Sequence, residues 1–199
     1  MSTIVVARKG KTACIAADTL TTFGDIRLEH QLDFHHSKIQ TFGKTYMGIV
    51  GSAAHTLVAE RAFNDKQVKA DFSTRDSSFD TLIRLHPVLK EKYFLNAKDA
   101  EEDPYETSQI DAVYVNSNGI FAMYSLREVY EYTRFWAVGS GACYALGAMH
   151  AVYDRYKSAK DIARAGAEAG AAFDTSSQLP LTMKTVKLGN GALVASETD

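Results

Sequence analysis

A chain of 199 residues with 46% hydrophobic residues is long enough for one ordinary hydrophobic core and short for two. Its formal net charge of −2, with the basic residues scattered, excludes the electrostatic footprint of a nucleic-acid binder. No basic stretch followed by an apolar run opens the chain, and no apolar run could span a bilayer, so a soluble cytoplasmic protein with neither membrane nor nucleic-acid partner is expected.

Residues 3–8 and 12–17 are β-branched and apolar on either side of Lys9-Gly10-Lys11, which predicts a hairpin with glycine at its turn. That hairpin would bring Ser2 and Asp18 to one end. Residues 19–40 are mixed, with a turn signal at Gly24-Asp25. His30, His35 and His36 are expected on the surface of an extended hairpin, because neighbouring strand residues such as His35 and His36 point to opposite faces. A pairing around Gly43-Lys44 leads into 45–51 and reads as a meander completing the first sheet.

Gly48-Ile49-Val50-Gly51 either lets a strand end and a helix begin or admits a ligand close to the backbone. Ser52 is the cap expected for a helix to Phe63, with Leu57 and Arg61, and Val58 and Ala62, at helical spacing. A second helix is expected from 78 to about 94, disturbed at Pro87. The acidic stretch 96–104 has no apolar period and reads as a solvated loop rather than a metal site.

Strands at 110–115 and 120–125 flank Asn116-Ser117-Asn118-Gly119, a hairpin signal because Asn-Gly accepts positive φ. With a further strand at 129–138 they would form the second sheet. Gly139-Ser140-Gly141 opens a helix with Ala145, Met149, Val152 and Tyr156 on one face, and on pattern alone Ser140 is its N-cap. Ser158 and Asp161 resemble a capping box for 159–173, whose Ala and Gly residues make a thin helix able to lie close on a neighbour. Asp174 ends that helix against the macrodipole, a placement that marks it as a functional candidate. A strand at 181–188 and a turn at Gly189-Asn190-Gly191 close the chain. Strands, two helices, strands, two helices and a strand argue for a layered α+β architecture over a parallel βαβ one. Cys14 and Cys143 lack paired spacing and read as reduced core thiols.

The chemistry concentrates at the start. An initiator methionine before a residue as small as Ser2 is normally trimmed in the cytoplasm, which would place a hydroxyl and a free α-amine on one residue. A serine hydroxyl needs an adjacent base, and an α-amine with a reference pKa of about 8 can be that base without any histidine. A lysine ammonium nearby would favour the alkoxide and depress the amine pKa. Lys38 is the candidate, and Asp18, closing the run Thr12-Ala13-Cys14-Ile15-Ala16-Ala17, is the carboxylate to fix it.

Ser2-Thr3-Ile4-Val5, Ile15-Ala16-Ala17-Asp18, Lys38-Ile39, Gly48-Ile49-Val50-Gly51, Val138-Gly139-Ser140-Gly141 and Asp174-Thr175-Ser176-Ser177 together resemble motifs of the proteasome β-subunits and their HslV-type bacterial relatives, the N-terminal nucleophile hydrolases. Within that family the chain looks most like the bacterial proteasome homologues of β-proteobacteria. The resemblance covers nearly the whole chain and implies a four-layer αββα sandwich of two antiparallel sheets between helical layers. It makes Ser2 the nucleophile where the family usually has threonine, Asp18 and Lys38 the charged pair, and the Gly48 N–H the oxyanion donor. Ser140, Asp174 and Ser177 match positions that orient the amine and the attacking hydroxyl. No cofactor is required, although a structural cation on the main-chain carbonyls of Ala171, Asp174 and Ser177 is implied.

The resemblance also implies a peptidase assembled from copies of itself in stacked rings, two of seven ahead of two of six, acting on unfolded polypeptide delivered by an ATP-dependent unfoldase. Two other functions fit the same residues: an amidohydrolase of the same fold acting on small amides, and a silent ring-forming scaffold, which would have no reason to keep Ser2, Asp18 and Lys38 together. Thr3 is the rival nucleophile and would require removal of both Met1 and Ser2. By analogy, Tyr46 and Val50 border the substrate pocket.

Overall fold

The computed structural model describes residues 2–51, 53–98 and 103–189, with 53 and 54 as backbone only. The first hairpin forms where the apolar runs require it: β1 (Ile4–Lys9) pairs antiparallel with β2 (Thr12–Ala17), turning at Gly10 with φ +56. Next come the small hairpin β3 (Thr21–Phe23) and β4 (Ile26–Leu28), then β5 (Ile39–Phe42) and β6 (Thr45–Val50). Helices α1 (Ala53–Phe63) and α2 (Arg75–Tyr93) precede β7 (Asp111–Asn116), β8 (Gly119–Met123), β9 (Val129–Tyr132) and β10 (Phe135–Val138). Helices α3 (Ala142–Val152) and α4 (Ala159–Phe173) and strand β11 (Thr182–Lys187) complete the order.

Two antiparallel sheets result, one ordered β10-β1-β2-β11 and the other β5-β6-β7-β8-β9. Alternation along β1 explains how they stack. Ile4 and Val6 point between the sheets, onto Ile15, Val113, Val115 and Ile120, while Val5 and Ala7 point outward under Met149, Ile162 and Ala163 of the last two helices. The outer face of the second sheet, with Met47, Tyr114 and Phe121, is covered by Leu82, Leu85 and Leu89 of α2 and by Ala59, Ala62 and Phe63 of α1. Strands buried on both faces read as unbroken apolar runs, which is why 4–7 and 13–17 show no polar alternation. The molecule is an αββα sandwich, as the family resemblance implies.

Several expectations are corrected. The segment 39–50 does not complete the first sheet; β6 pairs with β7 in the second, and β3–β4 stands as its own ribbon. The run 129–138 is two strands: β9 pairs with β8, whereas β10 crosses to the other sheet and pairs with β1. Stacking of Tyr132 on Trp136, centroids 4.7 Å apart, packs that corner. The 116–119 hairpin forms without positive φ at Asn118 or Gly119; Asn116 Oδ1 accepts the Asn118 N–H at 2.8 Å, and the Asn118 amide donates to the Ser73 carbonyl at 2.6 Å.

Helix α2 begins earlier than expected, at a capping box between Thr74 and Ser77, and continues through Pro87, whose ring lies on the exposed side. The histidines lie around a short 3-10 turn, His30–Leu32, not on an extended hairpin. Cys14 is a buried thiol whose pKa burial pushes up, but Cys143 is exposed. The expected Ser52 cap, residues 99–102 of the acidic stretch and residues 190–191 of the last turn lie outside the described residues. No helix among the described residues is long and apolar enough to cross a membrane.

Ser78 lies inside α2 and is fully buried, because it accepts a hydrogen bond from the Tyr114 hydroxyl at 2.7 Å and donates to the Thr74 carbonyl at 2.6 Å. Burial pushes the Tyr114 phenol well above its ordinary pKa. Tyr114→Phe removes one buried donor and leaves Ser78 without it, so a loss of about 1–2 kcal/mol in urea unfolding is expected. An unchanged midpoint would contradict the assignment.

Candidate active site

The first hairpin's open end is where the chemistry gathers. Past the last strand residues the pairing continues: the Thr3 carbonyl accepts the Asp18 N–H at 3.2 Å, and the Thr3 N–H donates to Asp18 Oδ1 at 2.9 Å. Asp18 is fully buried, and a buried carboxylate requires a partner charge and full hydrogen bonding. It has both. Lys38 Nζ lies 2.8 Å from Oδ1 and 2.9 Å from Oδ2, and Oδ2 also accepts the N–H groups of Leu20 at 3.0 Å and Gln178 at 3.3 Å. Lys38 directly precedes β5, and its side chain reaches Asp18 at the hairpin end. Burial pushes its ammonium pKa down, an effect that Asp18 and, less strongly, Asp174 oppose.

A second cluster approaches from the other side. Asp174 is the C-cap of α4, its N–H donating to the Gly170 carbonyl at 2.8 Å. Its Oδ2 accepts Ser140 Oγ at 2.7 Å and Ser177 Oγ at 2.6 Å. Ser140 is therefore not an N-cap; Gly141 holds that position in α3, without a side-chain bond. Burial would raise the Asp174 pKa, but the hydrogen bonds from Ser177, Ser140 and the Ser176 N–H hold it below the ordinary carboxylate value.

A carboxylate with a depressed folded pKa stabilises fully above its unfolded value, about 3.9, and loses that contribution as pH falls through the folded value. The urea-midpoint advantage of the wild type over Asp174→Asn should therefore be full at neutral pH and shrink below about pH 4. A pH-independent difference would contradict the assigned ionisation.

Ser2 lies between the clusters, 7% exposed. Its carbonyl accepts the Gly141 N–H at 3.3 Å. Gly139 adopts φ +97, and a Cβ there would lie 2.0 Å from the Ser2 carbonyl oxygen, so the turn before α3 approaches Ser2 as only glycine permits. The same Cβ would be 3.4 Å from Val50 Cγ1, which brings Val50 to the site; Tyr46 is four residues further along β6, about 13 Å at strand rise. Gly48 lies inside β6, paired with Ile39 on one edge and Val113 on the other, so its N–H belongs to the sheet ladder and not, as expected, to an oxyanion site; a Cβ on it would come within 2.6 Å of Ile4 Cγ2, so its role is to let β1 pack closely on the second sheet.

The carbonyls expected to hold a cation are those of Ala171, Asp174 and Ser177. Ala171 is in the last turn of α4, where a helix leaves carbonyls without intrahelical donors, and the Asp174 carbonyl accepts one N–H, from Ser177 at 3.1 Å, keeping a second lone pair.

Ser2, Asp18, Lys38, Ser140, Asp174 and Ser177 gather at one end of the sandwich, whereas Gly48 stays within β6. Sequence reasoning missed Thr3 as anything but a rival nucleophile, although its hydroxyl lies 2.7 Å from Ser177 Oγ and its side chain is fully buried. It also missed Gly170, where a Cβ would be 2.3 Å from the Thr3 side chain. The small residues of α4 were the available signal for so close an approach.

No family model matches the chain, and no curated protein matches it. Solved structures do. Thiobacillus denitrificans BPH, a bacterial proteasome homologue, is 34% identical over 94% of this chain and 99% of that one, with a TM-score of 0.84. The same protein in complex with epoxomicin matches at 33% identity and a TM-score of 0.83, with the same coverage. Eukaryotic HslV from Trypanosoma brucei, at 18% identity over 93% of this chain and 99% of that one, has a TM-score of 0.68 and shares the fold. With a full-length relative at this identity and with this arrangement of sheets and helices, the chain belongs to the proteasome β-subunit and HslV-like family of N-terminal nucleophile hydrolases.

Proposed function

We propose that this protein is a self-compartmentalising peptidase that hydrolyses peptide bonds with Ser2 as its nucleophile once Met1 is removed. The observation that carries the reading is the Lys38–Asp18 pair, held by two contacts of 2.8 and 2.9 Å on a buried carboxylate that also binds the N–H of the residue after Ser2. Such a pair brings a fixed positive charge to the tip of β1, where it favours the Ser2 alkoxide and disfavours a protonated α-amine.

In this mechanism the α-amine takes the Oγ proton as the hydroxyl attacks the substrate carbonyl. The protonated amine then gives its proton to the leaving amine, and water repeats the sequence in reverse to free the ester. Ser140, Asp174 and Ser177 orient the amine and the hydroxyl. A cation on the carbonyls of Ala171, Asp174 and Ser177 would neutralise the negative end of α4 and keep that loop in place. The active assembly is a stacked-ring homo-oligomer receiving unfolded polypeptide from an ATP-dependent unfoldase.

Intact-mass spectrometry of the purified protein, with and without a β-lactone, a fluorophosphonate or epoxomicin, tests the nucleophile. Loss of Met1 and one adduct mapping to Ser2 are expected. Retained Met1 would exclude the amine base, and an adduct on Thr3 would move the nucleophile. Native mass spectrometry of the same sample reads the assembly, for which fourteen copies would be expected from two rings of about seven.

A further inference from the structure

Thr3 is enclosed on every side, and each of its polar groups has a partner in the site. Its N–H donates to Asp18 Oδ1 at 2.9 Å, its carbonyl accepts the Asp18 N–H at 3.2 Å, and its hydroxyl lies 2.7 Å from Ser177 Oγ. The direction of that last bond follows from counting protons. Ser140 and Ser177 both lie against Asp174 Oδ2, at 2.7 and 2.6 Å, and an ionised carboxylate only accepts. Ser177 has a single hydroxyl proton and gives it to Asp174, so Thr3 must be the donor to Ser177. The chain runs one way, from Thr3 through Ser177 to Asp174.

The pocket around this side chain is made by absent side chains. A Cβ on Gly141 would come within 1.9 Å of Thr3 Oγ1, and one on Gly170 within 2.3 Å of both Thr3 Oγ1 and Cγ2. The methyl and the hydroxyl are thus held separately, the methyl by packing and the hydroxyl by Ser177. Just ahead, the Ser2–Thr3 peptide is clamped on both edges, its carbonyl by the Gly141 N–H and its N–H by Asp18, and a planar peptide transmits that clamp to the Ser2 Cα.

We infer that Thr3 is a positioning residue whose hydroxyl, acting through Ser177, sets Ser2 in register with both Asp174 and the Asp18–Lys38 pair. It touches neither substrate nor the reacting atoms. The inference rests on Ser2 being the nucleophile and adds a requirement on its neighbour.

Two substitutions in the full-length chain separate the hydroxyl from the methyl. Thr3→Val keeps the branched shape that fills the cradle but has no proton to give Ser177, and Thr3→Ser keeps the proton but loses the methyl. Fluorophosphonate labelling rates across pH would be read beside urea midpoints, with intact mass confirming Met1 loss in each protein. Thr3→Val is expected to label about tenfold to a hundredfold more slowly, the scale of a small misplacement of reacting groups, with an altered pH profile. Thr3→Ser is expected to label close to the wild-type rate while unfolding at lower urea. The inference is overturned if labelling simply tracks stability, with Thr3→Ser the slower protein, or if Thr3→Val labels as the wild type does. A wild type that takes no adduct at Ser2 overturns the functional reading itself, and this inference with it.

Discussion

Lys38→Ala is expected to slow electrophile labelling of Ser2 by about a thousandfold or more, the scale seen when one member of a catalytic unit is removed. The substitution takes away the ammonium that contacts both oxygens of Asp18 and leaves a fully buried carboxylate without its counter-charge. Stripping one partner from a buried pair costs about 3–5 kcal/mol, and the N–H donors of Thr3, Leu20 and Gln178 that remain on Asp18 should hold the loss to the lower end of that range. Asp18→Asn provides the companion measurement, since it removes the charge while keeping an acceptor for Thr3. Lys38→Ala is expected to fold, label far more slowly and lose stability; undiminished labelling would show that the ammonium plays no part in activating Ser2.

Gly139→Ala is the second large effect. Two costs coincide there: φ of +97 is strained for any residue with a side chain, and the added Cβ would lie 2.0 Å from the Ser2 oxygen and 2.8 Å from its carbonyl carbon. Backbone atoms cannot rotate out of the way as the end of a side chain can. Ser2 must move, and with it the bond from Gly141. A displacement of about 1 Å in Ser2 is expected to reduce labelling about a hundredfold, with about 1–3 kcal/mol lost from strain alone. Gly43→Ala isolates the strain, because Gly43 has φ +58 with nothing within 4 Å of an added Cβ. It should lose stability and keep labelling. Equal labelling by the two variants would refute the close approach of Gly139 to Ser2.

The two carboxylate clusters differ in what supports them, and this bears on how the site tolerates change. Asp18 is anchored mainly by backbone N–H groups and one lysine, so substitutions around it act through charge. Asp174 is anchored by hydroxyls from Ser140 and Ser177, with Thr3 behind them, so substitutions there act through geometry. Ser2, the proposed nucleophile, lacks the methyl that restricts χ1 in threonine, so under that proposal the fixed peptide ahead of Thr3 is more consequential.

The sequence by itself determined the elements and most of the site. Apolar β-branched runs on either side of Gly10 could hardly pair in another way, and the spacing from Ser2 to Asp18 is then proximity at one hairpin end. The Ser158–Asp161 start of α4 and the order of strands and helices were also legible, because capping bonds and side-chain periodicity are local properties.

What only the tertiary structure decided concerns which sheet a strand joins and which partner a hydroxyl finds. Residues 39–50 and 129–138 carry the alternation of a buried strand whichever sheet they enter, so β6 in the second sheet and β10 beside β1 could not be read from pattern. Ser140 has the context of a helix cap and instead bonds to Asp174, thirty-four positions later. Thr3 becomes structural support only because α4 brings Gly170 against it. Local chemistry is set by neighbours along the chain, whereas sheet membership and hydrogen-bond partners depend on which faces the hydrophobic effect brings together across it.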